Sequence, residues 1–145
     1  MKRILFITRE IVPFYYGGIG TLFKAVAKAL MRRGHDVAFL GERPPGFTEE
    51  LLRLHYGSIH SFLYPAASEP DGAAPLDRAS DVWRHFREVH SLFIPDVVVN
   101  ADFGGESLLV LLDAHAGHYP RTSFIVTING MHGDIDRIHE GAEQA

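Results

Sequence analysis

Ile4-Leu5-Phe6-Ile7 is an unbroken apolar run of strand length, and it predicts a first strand over Lys2–Arg9 that is buried on both faces of a parallel sheet. A glycine-rich turn follows at Tyr16-Gly17-Gly18-Ile19-Gly20. From Thr21 the apolar residues recur at helical spacing, which predicts an amphipathic helix that Gly34 ends. These 34 residues therefore predict the strand, turn and helix with which an α/β domain begins.

The glycines of this turn admit two interpretations. They lack a Cβ, so a ligand can approach their backbone closely, and their amides would lie at the positive end of the helix dipole. Free amides at a helix start are typical of a phosphate site. Alternatively, Gly17 and Gly18 only form a tight turn, and Gly20 lets the helix pack closely on the sheet. The turn alone leaves both interpretations open.

The rest of the chain alternates strands with helices. Further strands are predicted over Asp36–Leu40, Ser58–Tyr64, Asp96–Asn100 and Thr122–Ile128. Helices are predicted over Thr48–Leu54, where Thr48 can act as the cap, from Asp77 or Ser80 to Phe93, over Glu106–His115 and from Asp134. A frayed end is predicted at Gly141–Ala145, and loops over Gly41–Gly46 and Pro65–Pro75. This order predicts one α/β domain over residues 1–145, with a Rossmann-like, mainly parallel sheet and helices on both faces. Because Glu106–His115 is apolar nearly all round, we expect it to be buried on most sides, or covered by something outside this chain.

Composition excludes several classes of function. The chain has 14 basic and 18 acidic residues, a formal charge of −4 and no basic block, so we expect no nucleic-acid partner. The absence of cysteine excludes disulfides and thiolate metal sites and favours a cytoplasmic location. No apolar stretch approaches the roughly 18 residues of a transmembrane segment.

Three predicted strand ends carry glycine together with polar residues: Glu10–Gly20, Asn100–Gly105 and Asn129–Asp134. Ligands of parallel α/β sheets bind outside the carboxyl ends of the strands. The pattern therefore predicts a cleft at this edge of the sheet without naming its chemistry.

Three polar residues near these ends are candidate ligand contacts. Asp102 fits a base or a hydroxyl-binding carboxylate, Asn129 can both donate to and accept from hydroxyls, and His132 can bind a sugar or phosphate near neutral pH. Each also fits a structural role, as the cap of a turn or as a loop residue. No catalytic residue can be identified, and no nucleophile elbow is present.

Other ligand motifs fit less well. Gly18-Ile19-Gly20-Thr21-Leu22-Phe23 begins like a dinucleotide fingerprint, but Phe23 replaces the third glycine and the glycines stand too far from the strand. No Gly-Lys-Ser/Thr follows, which excludes a Walker loop. The spacing of His115 and His118 is close to that of metal-binding histidines, but we interpret both as surface histidines at a helix end. We therefore expect no metal.

Several of these segments resemble the N-terminal domain of retaining GT-B glycosyltransferases of family 4. Glycogen and starch synthases are more distant relatives with a similar Gly-Gly loop. The resemblance covers essentially the whole chain and is carried by Arg3–Thr8, Pro13, Gly17–Gly20, Ala27–Val37, Pro95–Val98 and Ile125–Gly130.

The resemblance implies one half of a GT-B fold, with the domain that supplies most acceptor contacts present and the C-terminal, donor-binding domain absent. We therefore expect this chain to be inactive alone. The co-substrate would be a nucleotide-sugar, the second substrate a hydroxyl-bearing acceptor, and no metal or other cofactor is expected. Association of the intact enzyme with a membrane surface is compatible with this reading.

The resemblance also implies roles for individual residues. Gly17 and Gly18 would approach the diphosphate of the donor, and Tyr15 and Tyr16 would contact donor sugar or acceptor. Asn129 falls where many family members place a histidine that touches the donor sugar, a contact that His132 can supply instead. The alternative from another class is a non-catalytic α/β module that binds a nucleotide or a partner through the same cleft, with an NAD-binding domain less favoured.

Overall fold

The structure is a computed structural model, and it describes residues 1–66, 75–101 and 105–128. Within these residues, five strands and four helices alternate along the chain. The strands are β1 (Arg3–Ile7), β2 (Asp36–Glu42), β3 (His60–Tyr64), β4 (Val97–Ala101) and β5 (Ser123–Thr127). The helices are α1 (Gly18–Arg32), α2 (Glu49–Tyr56), α3 (Pro75–Phe93) and α4 (Leu108–His115).

All neighbouring strands pair in parallel, in the order β3-β2-β1-β4-β5. The central strand β1 places Ile4 beside Val37 of β2 and beside Val97 of β4. Because β1 has strands on both sides and helices on both faces, its residues Ile4–Ile7 are buried, and Leu5 and Phe6 are fully so. The apolar run at the start of the chain is explained by this position.

Two apolar cores cover the two faces of the sheet. Phe6 of β1 packs on one face against Phe23 of α1, with ring centroids 5.1 Å apart, and α2 adds to the same core. Leu5 points to the other face, where its core includes Phe86 of α3 and Val110 of α4. The predicted α/β fold, with a parallel sheet and helices on both faces, is confirmed.

Several predicted boundaries differ from the observed ones. Helix α1 begins at Gly18 rather than at Thr21, so two of the turn's glycines lie in its first turn. Strand β2 continues through Gly41, which the sequence predicted as loop. Helix α3 begins at Pro75, a position that suits proline because the first helical residue needs no N–H donor. The predicted capping role of Thr48 is confirmed, since its side chain accepts from the amide of Leu51.

Helix α4 is less buried than predicted. Among the residues of this helix only Val110 is buried, whereas Leu108 and Leu112 are 45% and 54% exposed. The expectation of burial on most sides is therefore wrong, because α4 packs mainly against α3 and contributes only Val110 to the buried core; cover by something outside this chain stays a prediction. The helix predicted from Asp134 and the frayed end at Gly141–Ala145 lie outside the described residues. No helix in the described part of the chain is both long enough and apolar enough to cross a membrane.

Candidate functional site

A narrow pocket opens at the carboxyl edge of the sheet, between β1 and β4. Crossover connections leave the sheet in opposite directions on the two sides of this point, and parallel α/β sheets bind ligands at such switch points. The loop between β1 and α1, residues 8–17, forms one wall, and the start of α4 forms the other. The pocket is lined by Ile7, Thr8, Arg9, Glu10, Ile19, Ala101, Glu106 and Ser107.

The carboxylate of Glu10 lies at the start of α1. Its Oε2 accepts a hydrogen bond of 2.8 Å from the backbone N–H of Gly20. The helix has no side-chain hydrogen bond from its own N-cap residue, Gly17, and no acidic residue in its first turn. Glu10, ten residues upstream of Gly20, therefore supplies the negative charge that a helix start favours.

The three glycines of the turn have different surroundings. A Cβ on Gly17 would stand 2.6 Å from the carboxyl carbon of Glu10, and one on Gly20 would stand 3.0 Å from the Glu10 carbonyl oxygen. A Cβ on Gly18 would meet no atom within 4 Å. Gly17 and Gly20 thus make room for Glu10, whereas Gly18 faces open space.

Two amides remain for a ligand at this helix start. The N–H of Thr21 donates to the carbonyl of Gly17, and that of Gly20 donates to Glu10. Within the described residues, the amides of Gly18 and Ile19 have no acceptor, as is usual for the first amides of a helix. The arrangement can therefore offer two adjacent donors to an anionic or hydroxyl oxygen.

Arg9 and Glu106 form an ion pair across the pocket, with Nε 3.0 Å from Oε1. Burial raises the pKa of the Glu106 carboxyl above its ordinary value, and the nearby Arg9 guanidinium opposes that rise. The pair connects the loop after β1 to the segment directly before α4, whose N-cap is Ser107. It joins the two walls of the pocket.

A second small pocket lies beside the first, toward β2 and β3. Arg9 and Glu106 also line this second pocket, together with Glu42, Tyr64 and Arg78. Burial, and then the Glu42 carboxylate, raise the pKa of the Tyr64 hydroxyl. This edge of the sheet thus carries charges of both signs rather than a uniform positive field.

The structure describes two of the five residues that were predicted to contact sugar or acceptor. Tyr15 and Tyr16 lie in the loop after β1 and are 53% and 74% exposed. Asp102, Asn129 and His132 lie outside the described residues. The register places Asn100 beside Ile7 and beside Val126, so β1, β4 and β5 end at the same edge, as their sequences predicted. Roles for these residues in ligand binding stay predictions, as do those of Gly17 and Gly18.

Sequence reasoning missed the parts played by Glu10, Arg9 and Glu106. The available signal was a pair of opposite charges, Arg9-Glu10, directly after a buried strand and before the glycines. Asn100 was predicted only as a strand end, yet it is 1% exposed and its Oδ1 has no hydrogen-bond partner in the described structure. No three His, Asp or Glu side chains of the described residues gather as a metal site would require.

The length of the loop weighs against a dinucleotide site. Ten residues, Thr8–Gly17, separate β1 from α1. In the dinucleotide fingerprint the glycines follow the strand directly. Fold and site together define an α/β domain of Rossmann type, with a glycine-started helix at its topological switch point.

The chain belongs to the starch synthase catalytic domain family, whose model matches residues 3–85. This is a glycosyltransferase family, so the predicted relation to glycosyltransferases is confirmed. The match is to the group that the sequence indicated as more distant relatives, and membership of family 4 stays a prediction. No curated protein matches the sequence.

Two solved structures share the fold. The glycotransferase of kitacinnamycin superposes with a TM-score of 0.60 at 15% identity, over 99% of this chain and 35% of that one. The C-terminal domain of a hydrogenase from Pyrococcus furiosus superposes with a TM-score of 0.53 at 22% identity, over 86% of this chain and 90% of that one. The present chain thus spans about a third, 35%, of the length of the matching glycotransferase.

Proposed function

We propose that this chain is the acceptor-side, N-terminal domain of a retaining glycosyltransferase, which moves a sugar from a nucleotide-sugar to a hydroxyl of an acceptor. Membership of the starch synthase family supports the class of reaction. The observation that supports the site is the pair of amides at the start of α1, Gly18 and Ile19, that have no acceptor among the described residues, next to the switch-point pocket that Ile19 lines.

The role of the turn is to meet the departing diphosphate. Negative charge develops on the phosphate oxygens as the bond between the sugar and the diphosphate of the donor breaks. Preorganised amides stabilise such charge without having to reorient during the reaction. A hydrogen bond to a charged group contributes on the order of 1.5–3 kcal/mol. Two amides at the positive end of a 15-residue helix suit this purpose.

The acceptor and the donor sugar would lie beyond this turn. The exposed rings of Tyr15 and Tyr16 suit stacking on sugar rings. Asp102, Asn129 and His132 would add hydrogen bonds to hydroxyls, with His132 in place of the histidine that many members of family 4 have at the position of Asn129. The nucleotide would be held by a second domain, so this domain would be inactive alone. The reaction would take place in the cytoplasm and would use no metal ion.

Substitution of Gly18 in the full-length enzyme tests the proposal. Gly18→Val places a branched side chain over the free amides, and we expect turnover to fall at least about tenfold, the equivalent of losing one charge-assisted hydrogen bond. Gly18→Ala, which adds only a Cβ, should lose less. Because that Cβ would meet no atom of the described residues within 4 Å beyond its chain neighbours and its own helix backbone, the Gly18→Ala variant should fold normally, and thermal unfolding is the control. Unchanged turnover in Gly18→Val would count against the phosphate role.

A further inference from the structure

Glu10 lies in close contact with two glycines of the turn, Gly17 and Gly20. Its carboxylate accepts from the amide of Gly20 at 2.8 Å, and its carboxyl carbon lies 2.6 Å from the place of a Cβ on Gly17. The backbone of Glu10 is close to Gly20 as well: its carbonyl oxygen lies 3.0 Å from the place of a Cβ on Gly20. Two of the turn's three glycines are therefore required by Glu10 and not by a ligand.

The backbone of Glu10 is held as well. The N–H of Glu10 donates to Oγ1 of Thr8 at 3.0 Å, and that hydroxyl donates to the Glu10 carbonyl at 3.2 Å. The N–H of Thr8 in turn donates to the carbonyl of Leu40 in β2 at 3.0 Å. The backbone that carries the Glu10 side chain is therefore connected, through Thr8, to β2 at the carboxyl ends of the strands, and not only to its own loop.

We propose that Glu10 is a positioning residue of the donor-diphosphate site. It takes the amide of Gly20 and holds the turn, so that the amides of Gly18 and Ile19 are the pair left for a phosphate oxygen. This inference rests on the proposed function, because it assigns a second residue to the same site.

Pyrophosphate binding to this chain, followed residue by residue through backbone amide signals in NMR spectra, tests the inference. Glu10→Ala removes the acceptor, and Glu10→Gln keeps an uncharged one. Thr21→Val is the matched control: it deletes the 2.9 Å hydrogen bond from Oγ1 of Thr21 to the carbonyl of Gly17 at the same helix start, and it leaves Gly20 alone.

In the unsubstituted chain, pyrophosphate should shift the amide signals of Gly18 and Ile19 and leave that of Gly20 in place. In Glu10→Ala the Gly20 amide should exchange with solvent at least about tenfold faster, because its hydrogen bond to a charged acceptor is lost. The Kd for pyrophosphate should rise at least about tenfold, because the turn that positions the amides of Gly18 and Ile19 is no longer held. Glu10→Gln should fall between the two. Thr21→Val should bind within about threefold of the unsubstituted chain, as expected for the loss of an exposed, neutral hydrogen bond.

Tighter binding of pyrophosphate by Glu10→Gln or Glu10→Ala would overturn the inference, since Glu10 would then compete with the phosphate. A Gly20 signal that shifts in the unsubstituted chain, with Gly18 and Ile19 unmoved, would overturn it too. If pyrophosphate does not bind the unsubstituted chain, the phosphate role of the turn fails and the inference fails with it. Binding that Glu10→Ala leaves unchanged would refute the inference alone.

Discussion

The backbone of Gly41 touches the backbone of Thr8. A Cβ on Gly41 would stand 2.9 Å from the carbonyl carbon of Thr8, and nearer still to its oxygen. Next to this contact, the N–H of Thr8 donates to Leu40 at 3.0 Å. The chain leaves β1 at this point and enters the loop that carries Arg9 and Glu10, so the position of the whole pocket depends on how closely β1 and β2 approach here.

Substitution of Gly41 should therefore be costly. We expect Gly41→Ala to lower the free energy of unfolding by about 1–3 kcal/mol, the usual cost of overpacking, because the added methyl meets backbone that cannot move aside. Urea denaturation measures the change. Gly18→Ala is the control: it adds the same methyl in open space within a helix, where alanine is favoured over glycine by up to about 1 kcal/mol. Equal stabilities for Gly41→Ala and the unsubstituted chain would contradict the close contact.

The ion pair of Arg9 with Glu106 should affect stability in a pH-dependent way. The two side chains are 31% and 15% exposed, so the pair lies between the surface and buried cases. We expect Arg9→Met to lower the free energy of unfolding at pH 7 by about 1–2 kcal/mol, because the Glu106 carboxylate loses its nearest positive charge.

The deficit in Arg9→Met should shrink as the pH is lowered. Burial already raises the pKa of Glu106 in the folded state, and loss of Arg9 raises it further. A carboxyl with a raised folded pKa lowers stability as pH rises, and protonation removes that loss. Urea unfolding at pH 7 and pH 5 measures this. Glu106→Gln is the control, since adding Arg9→Met to it should cost less than Arg9→Met alone; equal costs would mean that the two residues are not coupled.

His90 should make stability fall on mild acidification. Burial lowers the pKa of His90 from its ordinary 6.5, and its Nε2 lies 3.1 Å from Oγ1 of Thr122. Since the folded pKa is the lower one, the unfolded chain binds more protons near that pH, and stability is lost as pH falls through 6.5 toward the folded pKa.

Replacing His90 by phenylalanine removes this titration. Thermal unfolding temperatures measured between pH 7.5 and pH 5 should depend less on pH in His90→Phe than in the unsubstituted chain. His118→Gln, a change at an exposed histidine, should leave the dependence as it was. A His90→Phe variant with the full pH dependence would show that other groups are responsible.

Trp83 of α3 and Asp113 of α4 connect the two helices on one face of the sheet. The indole Nε1–H donates to Oδ2 of Asp113 at 2.5 Å. We expect Asp113→Ala to lower the free energy of unfolding by about 1–2 kcal/mol, because a half-buried indole N–H loses its charged acceptor. Trp83 is the sole tryptophan, so its fluorescence maximum reports the change directly. Asp113→Asn keeps an acceptor and should lose less; identical emission and stability in all three proteins would argue against this hydrogen bond.

Much of the fold was predictable because it depends on local pattern. The run Ile4–Ile7 predicted a central strand, and helical spacing after the glycines predicted α1, because burial on two faces and on one face leave different apolar periods. Alternation of strands and helices then predicted a parallel sheet with its cleft at the carboxyl edge. Boundaries were predicted less well. Glycine is typical of turns, yet Gly41 lies in β2, where the close approach of the Thr8 backbone leaves no room for a side chain.

By itself, the sequence determined that this protein is an α/β domain in which a glycine-rich turn lies between a buried first strand and the first helix. Only the tertiary structure decided what each glycine does: Gly17 makes room for the Glu10 carboxylate, Gly20 lies against the Glu10 backbone and donates its amide to that carboxylate, and Gly18 faces open space. It alone also brought Arg9 to Glu106. The physical reason is that apolar periodicity records which side of an element is buried, whereas contacts between charged residues far apart in the chain depend on strand order and loop path, which no local pattern records.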